Sequence, residues 1–380
     1  MTNANVRDLL PRLAKPERVY DVVIAGGGPA AIGAALASAM TGASTLVLEA
    51  RSQFGGTATA AMWMPINMMY KDGSHTSRGG VHTVLIDAIL TMGPDAAYPG
   101  EVKKGIHDSG TNLHVHPEYL KKVLFDLLDR YGIDYQLYSP VVDAEKDGNR
   151  VTGVVVGAKE GPVTFHGKTF IDATGDGDLA FRAGCEMAMS GDEESGWRPP
   201  VTVEWAVCNV DCDRFFGWLE GGIELDRCQY ARFGELMDVY RNKGYNLPNW
   251  AGVFRATVPG VVCINSGTSL DLHLDCSRSA SRTLIEKMGV EQALDFIRFV
   301  RDEKVPGMEE ACLMRTGGFA MARDTRRLVG EYVLTDKDTM RGTEFDDAVA
   351  SKYGASDPVG DQRPYSSIKQ GAELPYRMLL

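Results

Sequence analysis

The chain reads as an α/β protein in which a parallel sheet carries an inserted antiparallel meander and a second, smaller α+β domain follows. Three observations predict this. An apolar run with β-branched residues (Val22, Val23, Ile24) meets a glycine turn (Gly26, Gly27, Gly28), a small-residue helix from Pro29 and a second apolar run, Thr45 to Leu48, ending in Glu49. Strand-like runs then recur around 135–142, 151–156, 162–165 and 169–172, separated by turn signals such as Asp147-Gly148-Asn149. Finally, a polar stretch rich in Pro and Gly from Gly191 to Pro200 marks a junction, after which strand and helix patterns resume.

The first element is the order a bound dinucleotide needs. Glycines let the backbone turn and approach a pyrophosphate without Cβ interference, and the following helix aims its free N–H groups and positive dipole end at the phosphates. In the G-x-G-x-x-G/A spacing the occupants are Gly26, Gly28 and Ala31, the last a small residue where helix and strand pack closely. Glu49 follows Gly28 by 21 residues, at the end of the second strand, where a carboxylate accepts hydrogen bonds from ribose hydroxyls. A competing reading is a membrane span, because Val22 to Met40 holds 19 residues without a charge. Its Gly and Ala content and the central Pro29 argue for a Rossmann unit instead.

Bulk properties narrow the classes. A length of 380 residues with 44% hydrophobic residues suits two connected domains with a large core. The net charge of −11 argues against nucleic acid or an anionic membrane as partner. The N-terminus has no basic and apolar secretory pattern, and Val6 to Leu13 looks like a short amphipathic helix, so a cytoplasmic location is expected. The 7 cysteines are scattered without a C-x-x-C pair, which disfavours disulfides, a metal site and a redox dithiol. Whether the chain forms a homo-oligomer stays open.

After Glu49 comes a second glycine turn, Arg51 to Thr59, and a methionine-rich stretch, Met62 to Met69, that serves either as adaptable core or as a wall for a flat ligand. A helix starts near Glu118 and is stopped by Gly132. The last strand of the meander runs into a third glycine-rich turn, Ile171 to Asp178. Beyond the junction, Val201 to Val210 alternates like a strand, Arg227 to Lys243 reads as a helix, Val253 to Ile264 as two strands, and Ser279 to Met288 and Val290 to Glu303 as helices. These boundaries divide the chain into a first domain, 1–190, completed by about 321–380, and a second, 191–320.

The three glycine turns resemble, in order, those of FAD-dependent oxidoreductases of the glutathione-reductase superfamily, in particular a bacterial group with G-G-T-A-T and D-A-T-G-D-G-D segments. The segment Thr316 to Thr335 resembles a later motif of that group, R-x-S-R-R-x-x-G-E-Y-x-L-T, with Thr325 in place of the serine. The resemblance implies an FAD-binding domain and a substrate domain. In it, Gly26, Gly28, Pro29, Ala30 and Ala31 pass the pyrophosphate and Glu49 holds the ribose. Arg51, Gly56 and Thr57 lie by the phosphates and ribityl chain, Val142 meets the adenine through its backbone, and Ala173, Gly175 and Asp176 close the other side. Asp172 and Asp178 are read as turn caps. Related flavoproteins attach FAD through a histidine in an R-S-H-T segment; Arg51-Ser52-Gln53-Phe54 stands at that place, so noncovalent FAD is expected. Relatives also continue past the equivalent of Leu374 to Leu380 into a strand, an A-G-R-type turn and a helix, so this chain is expected to lack that closing segment and to hold FAD more weakly.

A flavin carries the redox chemistry itself, so the protein need add only position and perhaps one acid or base. His82 and His75 are candidates if the loop after the second glycine turn reaches the flavin ring, while His116, before Pro117 and Glu118, suits a helix start. Arg323, with Arg326 and Arg327, either fixes an anionic substrate through bidentate contacts or makes ion pairs. The expected function is hydride transfer between a small organic substrate and FAD, with His82 and Arg323 as catalytic candidates. The alternatives are a non-catalytic or incomplete nucleotide-binding module and an NAD-dependent dehydrogenase.

Overall fold

The structure, a computed structural model, describes residues 12–62, 65–66, 80–99, 113–189, 191, 198, 201–220, 224–226, 229–248, 251–268, 274–352 and 372–380. The chain divides into two compact units: Met1–Ala60, Gly79–Met92 and Pro117–Ala188 form one, and Ala61–Arg78, Gly93–His116 and Met189–Leu380 the other. The segment 321–380 therefore groups with the second unit rather than completing the first. Its strand Met321–Ala322 pairs antiparallel with Val201–Thr202, which ties it there, while Ala348–Lys352 pairs with Ala372–Pro375 inside the segment itself.

In the first unit, β1 (Val19–Ala25), α1 (Pro29–Met40) and β2 (Thr45–Leu48) form the expected β-α-β element. Helices α2 (Gly80–Leu90) and α3 (Pro117–Arg130) follow, then β3 (Asp134–Gln136), β4 (Val141–Asp147), β5 (Arg150–Ala158), β6 (Gly161–Asp172) and α4 (Asp178–Ala183). The sheet order is β3-β2-β1-β6-β5-β4. Strand β1 runs parallel to β2 and β6, and β2 parallel to β3, whereas β5 is antiparallel to both β4 and β6. Strands expected separately at 162–165 and 169–172 are one strand of 12 residues. Its first half is held by β5 and its second by β1, with His166 paired to both, so the meander and the parallel sheet share it.

The apolar faces explain the packing. Leu120, Val123, Leu124, Leu127 and Leu128 recur at helical spacing on α3 and are buried. The helix begins at Pro117, whose missing N–H costs nothing in the first turn, and the chain reverses at Gly132 with φ +71°. Tyr20, Val23, Leu46, Leu48, Val154, Val156 and Phe165 form the sheet core.

The second unit is built on an antiparallel sheet of β7 (Trp205–Cys208), β8 (Ala251–Arg255), β9 (Val262–Ser266) and β10 (Cys312–Thr316), in the order β8-β9-β7-β10. The helices Cys212–Glu220, Ala231–Arg241 and Ser279–Asp302 accompany it. Trp205, Val207 and Ile264 on one sheet face join Phe233, Phe296 and Phe299 in the largest core, with Trp205 edge-on to Phe296 at 5.6 Å. The helices expected on either side of Gly289 are a single helix of 24 residues. Gly289 serves close packing rather than a break, since a Cβ there would lie 2.4 Å from the Cβ of Val203. Most of the expected N-terminal helix, most of the methionine-rich stretch, His75, His107 and His273 lie outside the described residues. Among the described residues, no helix is long and apolar enough to cross a membrane, and no group of His, Cys, Asp and Glu side chains could hold a metal ion.

Candidate functional site

The site grows from the turn between β1 and α1. Gly26 has φ +103°, and a Cβ on it would fall 2.2 Å from the carbonyl oxygen of Ala173, so this glycine is demanded by the protein's own backbone. Gly28 differs. Its φ of −75° and ψ of −175° suit any residue, and a Cβ there would meet nothing within 4 Å. Gly28 is the N-cap of α1, Pro29 opens the helix, and no side chain caps it. The first-turn N–H groups of Ala30 and Ala31 thus lie at the positive helix end without a side-chain cap. Gly56, φ +50°, brings the second glycine turn against this lip, because a Cβ on it would lie 3.1 Å from the Cα of Gly28.

Glu49 organises the turn from below. It is 3% exposed, and its Oε2 accepts the N–H of Gly27 at 2.7 Å while Oε1 accepts the N–H of Arg51 at 2.8 Å. The Arg51 guanidinium lies 3.8 Å from Oε1. One carboxylate thus fixes the first and second glycine turns relative to one another. Each oxygen keeps a further lone pair for a ribose hydroxyl. Gly27 is also sterically fixed, as a Cβ would approach Glu49 Oε2 at 2.7 Å and the Phe54 ring at 2.6 Å. Phe54 is fully buried and packs edge-on to Phe125 and Tyr135, at 5.4 and 5.7 Å, anchoring the loop whose next residues are Gly55, Gly56 and Thr57. Thr57 is exposed, and Gly55 N–H donates to the Gly27 carbonyl at 2.8 Å.

The third turn leaves β6 beside the first. Ala173 N–H donates to the Ala25 carbonyl at 2.8 Å, placing Ala173 against Gly26. Asp172 is a turn cap, as expected: it accepts from Thr174 N–H and Oγ1 and from Ala180 N–H at 3.0, 2.7 and 2.8 Å. Gly175, φ +86°, is exposed, and a Cβ on it would also meet nothing within 4 Å; Asp176 follows it, partly buried. Val142 sits where the β4–β5 register skips between Val141 and Asp143, at the sheet edge.

The two catalytic candidates fall in different units. His82 belongs to the first, on helix α2 rather than in a loop, because the apolar positions around it, such as Ile86 and Ile89, bury a helical face. Arg323 belongs to the second, in an exposed turn, where its charge acts on buried Glu204. Sequence reasoning misses Glu204. The available signal is a carboxylate inside the otherwise apolar run Val201 to Val210.

Gly26, Gly28, Gly56, Ala173 and Gly175 thus frame a backbone-lined cradle at an uncapped helix end with a buried acid beneath it. This is the constellation of a dinucleotide-binding α/β protein. A family model described as FAD dependent oxidoreductase matches residues 21–380, and the chain belongs to that family. Its cofactor is FAD, and the cradle fits it: the open spaces at Gly28 and Gly175 admit a pyrophosphate that a side chain would displace. When bound, FAD supplies a two-electron acceptor and donor.

The chain is 27% identical over 200 residues to digeranylgeranylglycerophospholipid reductase of Picrophilus torridus, covering 51% of this chain and 48% of that protein. It spans about half the length of that curated relative. Among solved structures it is similar to a geranylgeranyl bacteriochlorophyll reductase-like protein of Thermoplasma acidophilum, with TM-score 0.49, 17% identity and coverage of 82% of this chain and 67% of that one. It is also similar to p-nitrophenol 4-monooxygenase of Pseudomonas putida, with TM-score 0.49, 14% identity and coverage of 83% and 70%.

Proposed function

We propose that this FAD-dependent oxidoreductase transfers a hydride between a small organic substrate and noncovalently bound FAD, in the cytoplasm. The open, uncapped cradle at Gly28 and Gly175, braced by Glu49, carries the reading. In it, Gly28, Pro29, Ala30 and Ala31 bind the pyrophosphate, Glu49 the ribose, Arg51, Gly56 and Thr57 the adjoining phosphates and ribityl chain, Val142 the adenine, and Ala173, Gly175 and Asp176 the opposite side. The first unit holds the cofactor and the second the substrate. Gln53, in place of an attachment histidine, supports a noncovalent cofactor.

Purified protein should be yellow, and acid precipitation should release the flavin to the supernatant. Flavin that stays in the precipitate contradicts noncovalent binding. Reduced protein should regain its visible bands with some members of a panel of 2-keto acids, aldehydes and quinones, or oxidised protein should bleach with the corresponding alcohols and hydroxy acids. Flavin that responds to none of them argues for a silent nucleotide-binding module.

A further inference from the structure

The spacing of the 7 cysteines shows no pair, yet the second unit sets two of them face to face. Cys208 is the last residue of β7 and Cys312 the first of β10; they stand 104 positions apart in the chain, and the antiparallel ladder pairs them directly. A β-bulge makes this pairing. Trp205–Thr316 and Ala206–Arg315 share one register, and Val207–Leu313 and Cys208–Cys312 the next, with Met314 left over between them. Had the first register continued, Cys208 would face Leu313, and Cys312 would face Asn209. Facing residues of an antiparallel pair share one side of the sheet. Their Cα atoms lie about 4.5 or 5.5 Å apart, inside the range of about 4.4–6.8 Å that a disulfide spans.

Both sulfurs lie against the opposite strand or its continuation. The Cys208 thiol donates to the Cys312 carbonyl oxygen at 3.6 Å, and Cys312 Sγ accepts from Asn209 Nδ2 at 3.7 Å. Asn209, with φ +59°, turns the chain out of β7, so the pair closes the end of the ladder. Both cysteines are partly exposed there, whereas Cys212, Cys263 and Cys276 are buried. Cys312 Sγ also accepts from Arg301 Nη2 at 3.1 Å, and Arg301 is itself held by donating through Nε to the Ala311 carbonyl at 2.8 Å. Thiol–disulfide exchange begins with a thiolate, a negative charge that this guanidinium faces.

We propose that Cys208 and Cys312 are a redox-responsive dithiol, a modification site for low-molecular-weight disulfides that closes into a cross-strand disulfide. In the first step Cys312, as thiolate, attacks one sulfur of the small disulfide. A bond forms from Cys312 Sγ to that sulfur, the reagent's S–S bond breaks, and its other half leaves as a thiolate that takes up the proton Cys312 released. Cys208 then attacks Cys312 Sγ, the protein S–S bond forms, and the second half of the reagent leaves in the same way. The two protein thiols give up two electrons and two protons, and the small disulfide becomes two thiols. Closure clamps β7 to β10 around the intervening helices Cys212–Glu220, Ala231–Arg241 and Ser279–Asp302. In a reducing compartment the pair stays open.

The test takes the 380-residue chain with Cys185→Ser, which removes an exposed thiol of the first unit, and treats it with glutathione disulfide at neutral pH. Non-reducing digestion and mass spectrometry should find the Cys208 and Cys312 peptides linked, and dithiothreitol should restore both thiols. Cys208→Ser should stop at a glutathione adduct on Cys312, whereas in Cys312→Ser the adduct on Cys208 should form at least about tenfold more slowly. The closed protein should melt several degrees above the open one. Absence of the Cys208–Cys312 link, an adduct that forms on Cys208 as fast as on Cys312, or a closed form that melts below the open one overturns the proposal. Should a serine variant fail to fold, the link in its parent and the melting shift on closure still decide it.

Discussion

Gly26 and Gly28 are two residues apart in one turn, yet they should fail in opposite ways when given a methyl group. At Gly26 the new Cβ would lie 2.2 Å from the Ala173 carbonyl oxygen at a φ of +103°. Left-handed strain of about 1–3 kcal/mol and an overpacking cost of about 1–3 kcal/mol put Gly26→Ala about 2–6 kcal/mol below the parent in stability. At Gly28 the backbone already suits alanine and the Cβ meets no protein atom within 4 Å, so the fold should hold within about 0.5 kcal/mol. What Gly28→Ala loses is the ligand. Its methyl occupies the space in front of the helix end, and removing two charge-assisted hydrogen bonds of about 1.5–3 kcal/mol each weakens FAD about 10²- to 10⁴-fold. Thermal melts of the apoprotein and fluorescence titration with FAD separate the two effects. Parental FAD affinity in Gly28→Ala, or melting as low as that of Gly26→Ala, would refute the assignment of this turn to the pyrophosphate.

Other outcomes follow from named contacts. Glu49→Ala strips the acceptor from the Gly27 and Arg51 N–H groups and should cost about 2–4 kcal/mol in denaturant melts; FAD affinity should fall about ten- to a hundredfold, and an unchanged melt would show that the carboxylate does not brace the turns. Lys168 and Ser44 hold the Asp21 carboxyl far below its ordinary 3.8. The folded pKa being depressed, this stabilisation is complete above about pH 4 and drains away as pH falls below it. Asp21→Asn should therefore flatten the acid limb of a melting-temperature profile. Burial first, with Asp134 and Asp129 respectively adding to it, raises Tyr20 and Tyr135 to about 12. With the folded pKa raised, their contribution is intact below pH 10 and lost as pH climbs toward 12, so ultraviolet titration should find both phenols un-ionised until the protein unfolds. Ionisation of all tyrosines near pH 10 with the fold intact would contradict this.

Local rules make the cofactor turn legible in the sequence. Strand, glycines, helix and acid lie within about thirty residues, and the contacts of Glu49 with the Gly27 and Arg51 N–H groups are made over short separations along the chain. Even so, the residue types do not say which glycine the protein's own backbone demands and which faces open space. That distinction comes from Ala173, which β6 carries beside Gly26 from far along the chain. Periodicity likewise finds the helical segments around Gly289 but reads the glycine as a break, because its partner, Val203, is remote. His82 reads as a loop residue because a glycine-rich approach looks the same whether or not the next residues bury a helical face.

Composition, charge and the ordered glycine turns thus determine the α/β class and a dinucleotide as ligand, since both rest on backbone freedom and hydrophobic alternation that act locally. The assignment of 321–380 to the second unit, the sharing of β6 between two kinds of sheet, and the burial of Glu204 without a partner for Oε1 are decided only in three dimensions. Each depends on which distant strand supplies the next ladder of hydrogen bonds. In an antiparallel or mixed sheet that choice belongs to register and to packing on both faces, which no window of sequence contains.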